Sequence, residues 1–140
     1  MPSAKIAYFL DSNVLIYAAT AKTSDPRKFQ ISRDLILGAT FGVSGQTLSE
    51  FCSVVRKKNL LASESLREWL RFLGVMPLVP VDQDYVLAGL EVANRYELSY
   101  YDAALLAAAA RLGTSIFYTE DLNHGQLYGS VRALNPFLEH

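Results

Sequence analysis

Short apolar runs alternate with amphipathic stretches along most of the chain. The runs are bounded by glycine, proline, serine or aspartate, and their lengths are typical of strands. In the stretches between them, apolar residues recur three or four positions apart, which is the spacing of one helix face. Strands are predicted at residues 6–10, 40–44, 75–81 and 115–118, with a candidate fifth strand at 131–134.

Polar residues mark where several predicted helices begin, and glycines mark where two of them end. Asp25 followed by Pro26 is typical of an N-cap and a first helical position, and Asp82 is expected to cap a later helix. Ser63 or Ser65 is expected to cap another helix, which Gly74 ends. The other helices are predicted from residue 12 or 13 onwards and over about 26–38, 46–58, 83–96 and 101–112.

Strands that alternate with helices in this way predict an α/β fold. We expect a mainly parallel sheet of four to five strands that is flanked by helices. Pro77 and Pro80 indicate that the strand at 75–81 is an edge strand or a frayed one. Residues 1–137 are expected to form one domain, and residues 138–140 are interpreted as the remnant of a cloning tag.

The composition is that of a globular protein. Of the 140 residues, 51% are hydrophobic, which is enough for a sizeable core, and 19% are charged. The single cysteine, Cys52, is expected in the core and cannot form an internal disulfide, which fits a reducing compartment. No apolar run is long enough for a signal peptide or a membrane span, so a soluble cytoplasmic protein is expected.

The net charge of −1 provides no general attraction for nucleic acids. A polyanion would therefore have to bind a local basic patch, for which the run Arg56, Lys57 and Lys58 is a candidate. The alternative is that these side chains form an ordinary solvated helix surface.

Two aspartates directly follow, or nearly follow, predicted strands. Asp11 comes after the first strand, and Asp121 comes after the fourth with Thr119 and Glu120 between. Ligands of open parallel sheets bind beyond the carboxyl ends of the strands, so both acids reach one crevice if these strands are neighbours. The alternative for each aspartate is a structural role in a turn or at the start of the next helix.

Two further carboxylates are harder to interpret from their neighbours. Asp102 lies in the first turn of a predicted helix, where it matches either a capping box with Ser99 or a functional acid. Glu50 lies almost opposite the apolar stripe of its helix. That face either is exposed to solvent or lines a groove.

If these acids lie close together, the repulsion between their negative charges has to be compensated. Two carboxylates about 5 Å apart repel by roughly 3 kcal/mol at an effective dielectric constant of about 20. Four of them could not all remain ionised without shared protons or a bound cation. Hard oxygen ligands favour Mg²⁺ or Mn²⁺, and such a site is typical of phosphodiester chemistry.

Four short motifs, taken together, resemble those of the PIN-domain ribonucleases, and particularly the VapC-type toxins of bacterial type II toxin–antitoxin pairs. Each motif alone is weak, but their order and spacing match over nearly the whole chain. The matching segments are residues 9–15 (FLDSNVL), 49–51 (SEF), 101–104 (YDAA) and 119–126 (TEDLNHGQ), and the closing residues 135–137 (NPF) also fit.

The resemblance implies a PIN-like domain that hydrolyses RNA phosphodiester bonds with one or two Mg²⁺ or Mn²⁺ ions. It also implies a homodimer, an RNA substrate and a small antitoxin as partner. Asn13 and Thr119 match polar residues that support the acidic pocket, and either Glu120 or Asp121 points into it. The implied catalytic and metal-binding residues are Asp11, Glu50, Asp102 and Asp121.

Three other functions compete with this interpretation. Aspartyl-phosphate phosphotransfer or phosphatase domains also carry acids at strand ends, but Asn13 stands where the dehalogenase type has a second aspartate, and no lysine follows Tyr118 as in receiver domains. A PIN-fold regulatory module without catalysis would be expected to have lost some of the acids. A nuclease that acts on DNA or flap structures would need room for a clamp.

Overall fold

The computed structural model describes residues 5–138 of the chain, in which two helices follow each of the first three strands and the last three strands are consecutive. The helices are α1 (Ser12–Thr20), α2 (Pro26–Gly38), α3 (Gly45–Lys57), α4 (Ser63–Gly74), α5 (Gln83–Tyr96) and α6 (Tyr100–Arg111). The strands are β1 (Tyr8–Leu10), β2 (Phe41–Ser44), β3 (Leu78–Val79), β4 (Ile116–Tyr118), β5 (Leu127–Tyr128) and β6 (Val131–Leu134). The predicted α/β fold is confirmed. Residues 139 and 140 of the expected tag remnant lie outside the described part.

The strands form one sheet in the order β3-β2-β1-β4-β6-β5, and every neighbouring pair is parallel except β5 with β6. The described residues thus form six strands where four to five were expected. The additional strand is β5, whose two residues are too few to show an alternating pattern. It pairs with β6 through a tight turn at Gly129, whose φ of +62° is readily adopted by glycine.

The edge strand β3 is shorter than predicted. It comprises only Leu78 and Val79, flanked by Pro77 and Pro80, and it pairs with β2 alone. Proline has no backbone N–H to donate, so the prolines limit the strand and confine it to the edge of the sheet, as expected.

The centre of the sheet positions the ends of β1 and β4 next to each other. Leu10 is in register with Tyr118, and the backbone N–H of Asp11 donates to the carbonyl of Tyr118 at 3.1 Å. The residues that follow both strands therefore emerge at the same edge. The expectation that these two strands are neighbours is confirmed.

Helices cover both faces of the sheet because successive strand residues point in opposite directions. Phe9 belongs to a core cluster with residues of α5 and α6, whereas Leu10 belongs to a second cluster with residues of α1 and α3. Both side chains are fully buried. None of the described helices is long and apolar enough to cross a membrane.

Most of the predicted helix starts are present. Asp25 and Asp82 each accept a hydrogen bond from a backbone N–H in the first turn of the helix that follows, as predicted, and Ser44, for which no cap was predicted, does the same for α3. The prediction that Ser63 or Ser65 caps α4 is wrong, because the N-cap is Ala62 and no side chain in the described part caps this helix.

Helices α5 and α6 approach each other closely at Gly89. A Cβ atom added to this glycine would lie 2.8 Å from the Cβ of Ala104 and 2.8 Å from a ring carbon of Tyr100. Both distances are shorter than normal van der Waals contact, and Ala104 has no flexible side chain that could move away. The close packing of these helices therefore requires glycine here.

Replacing Gly89 with alanine should lower the free energy of unfolding by about 1–2 kcal/mol. Overpacking costs roughly 1–3 kcal/mol, and it outweighs the better helix propensity of alanine, which is worth up to about 1 kcal/mol. Urea unfolding followed by circular dichroism measures the change. Gly74→Ala is the matched control, since nothing lies within 4 Å of its added Cβ. Equal effects of both substitutions would contradict the packing argument.

Candidate functional site

The most buried of the four predicted acids is Asp11, which is 3% exposed. Its Oδ1 accepts a 2.7 Å hydrogen bond from the backbone N–H of Ser12, and its Oδ2 accepts a 2.7 Å bond from the hydroxyl of Thr119. Asp11 is thus also the N-cap of α1. Asp11 therefore both caps α1 and lies at the carboxyl edge of the sheet, which were alternatives on the sequence alone.

Asn13 and Thr119 connect Asp11 to Asp121. The side-chain nitrogen of Asn13 donates to Oδ2 of Asp121 at 3.2 Å and, more weakly, to Oδ2 of Asp11 at 3.4 Å. Thr119, which donates to Asp11, accepts a bond from the backbone N–H of Asp121 at 3.1 Å. The two polar residues that were predicted to support the site therefore hold both aspartates together.

Glu120 is held in a different network from Asp121. One oxygen of its carboxylate accepts a 2.5 Å bond from the hydroxyl of Tyr17, and the other accepts a 3.0 Å bond from the ammonium of Lys28. The same ammonium lies over the rings of Tyr17 and Phe137. Both oxygens of Glu120 are thus engaged, and Asp121 is the one that shares a partner with Asp11.

Glu50 is half-buried on α3, and its immediate partner is one helical turn earlier. The side-chain amide of Gln46 donates to Oε1 of Glu50 at 2.8 Å and to the backbone carbonyl of Tyr101 at 3.0 Å. This face of α3 is therefore joined to the start of α6 and is only partly exposed to solvent.

The predicted capping box at Asp102 is only half formed, because Ser99 caps α6 but the carboxylate of Asp102 bonds to the hydroxyl of Ser99 and not to its backbone N–H. The hydroxyl of Ser99 donates to the carboxylate of Asp102 at 2.9 Å and accepts a weak bond from the backbone N–H of Asp102 at 3.4 Å. The charge of Asp102 nevertheless reaches the other acids, because it raises the pKa of Glu50 and of Asp121. The contact with Ser99 therefore leaves the carboxylate of Asp102 close enough to Glu50 and Asp121 to act on them electrostatically.

The acids disfavour one another's ionised forms. Burial raises the pKa of Asp11 to about 7, and the negative charges of Asp121 and Glu50 add to this, while the bonds from Thr119 and Ser12 lower it. Burial also raises the pKa of Glu50 and of Asp121, to which nearby carboxylates contribute again. Asp11, Glu50, Asp102 and Asp121 are therefore electrostatic neighbours, and below we call them the acidic cup.

The cup has the chemistry of a divalent-cation site without a closed ligand set. Within residues 5–138, no three His, Cys, Asp or Glu side chains form a group that could hold a metal ion as they stand. The available donors are hard oxygens, and the buried Oδ1 of Asn13 has no hydrogen-bond partner in the described part. The only ion pair in those residues joins Lys28 to Glu120, so no basic side chain neutralises the cup.

The basic residues at the end of α3 divide between two surface cavities. Lys58 shares a cavity of about 240 Å³ with Ser12 and Asn13, directly beside the cup. Arg56 and Lys57 line another cavity together with Cys52. Cys52 is only half-buried there, so the expectation that it lies in the core is wrong. A helical wheel shows the face on which it lies but not how far the neighbouring helices extend.

Sequence reasoning missed Gln46, which contacts Glu50, and the pair Tyr17 and Lys28, which binds Glu120. The position of Gln46 four residues before Glu50 is a local signal, since side chains at this spacing meet on a helix surface. No local signal exists for Lys28 and Glu120, because they are 92 positions apart.

Comparisons with known proteins agree with this architecture. The chain superimposes on Mycobacterium tuberculosis VapC20, a toxin that cleaves the sarcin-ricin loop, with a TM-score of 0.66 at 16% identity, covering 82% of this chain and 90% of that one. It superimposes on a toxin–antitoxin complex from Klebsiella pneumoniae with a TM-score of 0.68 at 16% identity, covering 93% of this chain and 98% of that one. It superimposes on VapBC2 from Rickettsia felis bound to promoter DNA with a TM-score of 0.63 at 16% identity, covering 91% of this chain and 97% of that one.

At these identities the superpositions establish the fold alone. No curated protein sequence is significantly similar to the chain. The family model of the PIN domain matches residues 8–129, a segment that includes β1, β4 and all four acids of the cup. The chain therefore belongs to the PIN-domain family.

Proposed function

We propose that the protein is a metal-dependent endoribonuclease that acts as the toxin of a toxin–antitoxin pair. The observation that carries the proposal is the acidic cup at the carboxyl edge of the sheet, where Asn13 and Thr119 hold Asp11 beside Asp121. The structural neighbours described as toxins support the biological role, and membership of the PIN-domain family supports the chemistry.

The cup is suited to Mg²⁺ or Mn²⁺ as one or two ions. Its donors are hard oxygens, and a bound cation would favour the ionised form of Asp11, whose pKa is raised mainly by burial and further by the charges of Asp121 and Glu50. The residues that would hold it are Asp11, Glu50, Asp102 and Asp121. When bound, the ion would supply the positive charge that acidifies water and offsets charge on the phosphate.

The chain's own residues would orient the reaction. Thr119 and the backbone of Ser12 hold both oxygens of Asp11, and Asn13 keeps Asp121 beside it. Glu50 is held through Oε1 by Gln46. Its other oxygen, Oε2, is the atom that we assign to accept a proton from the attacking water.

Glu120 would act indirectly, through the position of Asp121. Its bonds to Tyr17 and Lys28 tie the segment after β4 to α1 and α2. We therefore retain it as a supporting residue and assign the inward-facing role to Asp121.

Exposed apolar side chains support the proposed protein partners. Val86, Leu87 and Leu90 are about half exposed on α5, and Leu37 lies 78% exposed in the groove between α2 and α4. Apolar patches of this kind mark interaction surfaces when they are contiguous. A second copy of the chain and a small antitoxin are the partners that we propose for them. Neighbouring structures that contain toxin–antitoxin complexes support the antitoxin.

Replacing Asp11 with asparagine should lower RNA cleavage by about a hundredfold or more, because a metal ion supplies several kcal/mol of transition-state stabilisation. Asparagine is an equally good N-cap, so the fold should persist. Cleavage of a labelled RNA is measured with Mg²⁺ or Mn²⁺ and with excess EDTA. Asp34→Asn, at an exposed acid on α2, is the control. Undiminished cleavage in EDTA would contradict the proposal.

Metal-free protein should lose stability as the pH rises from about 4 to about 7. Unfolded Asp11 ionises near 3.8 but the folded form only near 7, so the folded state is penalised by on the order of 4 kcal/mol above pH 7 and not below pH 4. Asp11→Asn should therefore be more stable than the unchanged chain at pH 8 and equally stable at pH 4. Urea unfolding in EDTA tests this, and a difference that does not vary with pH would contradict it.

Replacing Lys58 with alanine should weaken RNA binding and reduce its dependence on salt. A lysine that contacts one phosphate of a single strand contributes about 0.7 to the slope of log affinity against log salt concentration. Fluorescence anisotropy of a labelled RNA at several salt concentrations measures both effects. Lys22→Ala is the matched control, since Lys22 is an exposed lysine in the turn after α1. If the unchanged chain, Lys58→Ala and Lys22→Ala show the same slope of log affinity against log salt concentration, Lys58 does not contact the RNA.

A further inference from the structure

A chain of hydrogen bonds runs from the interior of the protein to the acidic cup. The hydroxyl of Ser44 lies 3.0 Å from that of Tyr85, which donates to Oε1 of Gln46 at 2.9 Å. The amide nitrogen of Gln46 then donates to Glu50 at 2.8 Å. Ser44, Gln46 and Tyr85 are all buried, whereas Glu50 is half-buried at the rim.

The hydrogen bonds in this series can run in only one direction, with each donor on the side of Ser44 and each acceptor on the side of Glu50. Glu50 and the carbonyl of Tyr101 are both acceptors, so the amide of Gln46 must turn its nitrogen towards them. Its oxygen then faces Tyr85, whose single hydroxyl proton is used to reach it. Ser44 must consequently be the donor in its contact with Tyr85. A flipped amide would place an oxygen against two acceptors.

Gln46 also joins the two helices that carry the less constrained acids of the cup. It lies in the first turn of α3, one turn before Glu50, and its bond to Tyr101 reaches the first turn of α6, where Asp102 lies. One buried amide thus sets the distance between those two helix segments. Its bond also opposes the effect of burial on Glu50, because it lowers the pKa of that carboxyl.

We propose that Gln46, oriented by Tyr85, is a positioning residue that holds Glu50 and the start of α6 in the arrangement a divalent cation requires. The inference rests on the proposed function, since it assigns two further residues to the same site. Partners beyond the direct ligands typically change metal affinity or activity by about 10–100-fold when they are removed.

Binding of Mn²⁺ to the full metal-free chain tests this without relying on catalysis. Free Mn²⁺ is measured by electron paramagnetic resonance during titration of the unchanged protein and its variants. Gln46→Met, which removes all three hydrogen bonds of the side chain, should weaken affinity by about tenfold or more, and Tyr85→Phe should weaken it severalfold. In Tyr85→Phe the hydroxyls of Ser44 and Thr47, 3.2 Å apart, share one contact and the oxygen of Gln46 loses its donor, so the stability of this variant is measured together with its affinity.

The matched control is Tyr8→Phe. It also removes a tyrosine hydroxyl that makes a hydrogen bond, here to the carbonyl of Leu35 at 2.6 Å, but that bond joins β1 to α2 and does not involve the cup. Its Mn²⁺ affinity should equal that of the unchanged chain. Urea unfolding in EDTA establishes the folded fraction of each variant, to which the affinities are referred.

A double substitution separates positioning from general loosening of the fold. If Tyr85 acts through Gln46, the combined variant should bind Mn²⁺ no more weakly than Gln46→Met alone, whereas independent effects would multiply. Multiplied effects, or a Tyr8→Phe variant as impaired as Tyr85→Phe, would overturn the proposal.

The remaining outcomes distinguish this inference from the function on which it rests. If Asp11→Asn loses Mn²⁺ binding while the Gln46 and Tyr85 variants retain full affinity, the positioning role is wrong and the proposed nuclease stands. If the unchanged chain neither binds Mn²⁺ nor cleaves RNA, the proposed function is wrong and the positioning role is wrong with it.

Discussion

Mutual repulsion among carboxylates around the buried Asp11 is the constraint on which the rest of the site depends. A carboxylate that is 3% exposed loses most of its hydration, and the charges of Asp121 and Glu50 oppose its ionisation further. None of the ion pairs in the described part of the chain offsets this charge. Such an arrangement lowers stability at neutral pH, and proteins retain it mainly where a site uses it.

The parallel pairing of β1 with β4 generates this repulsion. Because Leu10 is in register with Tyr118, the residues that follow both strands emerge side by side. Asp11 and Thr119 then meet at 2.7 Å, and Asp121 follows two residues later. The remaining two acids arrive on helices, so their distance from Asp11 depends on helix packing. The part-buried hydrogen bond from Gln46 to the carbonyl of Tyr101 joins these two helices.

Residues that depend on the sheet were the most predictable. The rule for open parallel sheets was enough to bring Asp11 and Asp121 into one crevice. Cys52 was misplaced, and Glu50 was left undecided, because a helical wheel shows the direction of a side chain but not what lies opposite it. β5 was not predicted because its two residues are too few to show an alternation of apolar and polar side chains. The choice between Glu120 and Asp121 depended on Lys28, which lies far away in the chain.

The sequence by itself determined the α/β fold, the order of most elements and the identity of the acids that follow the central strands. These properties depend on hydrophobic periodicity and turn chemistry, which act between residues close together in the chain. The tertiary structure alone decided which partners hold each carboxylate and which buried amide contacts Glu50. Those outcomes depend on hydrogen bonds and charges between distant segments, whose distances are set only when the helices pack on the sheet.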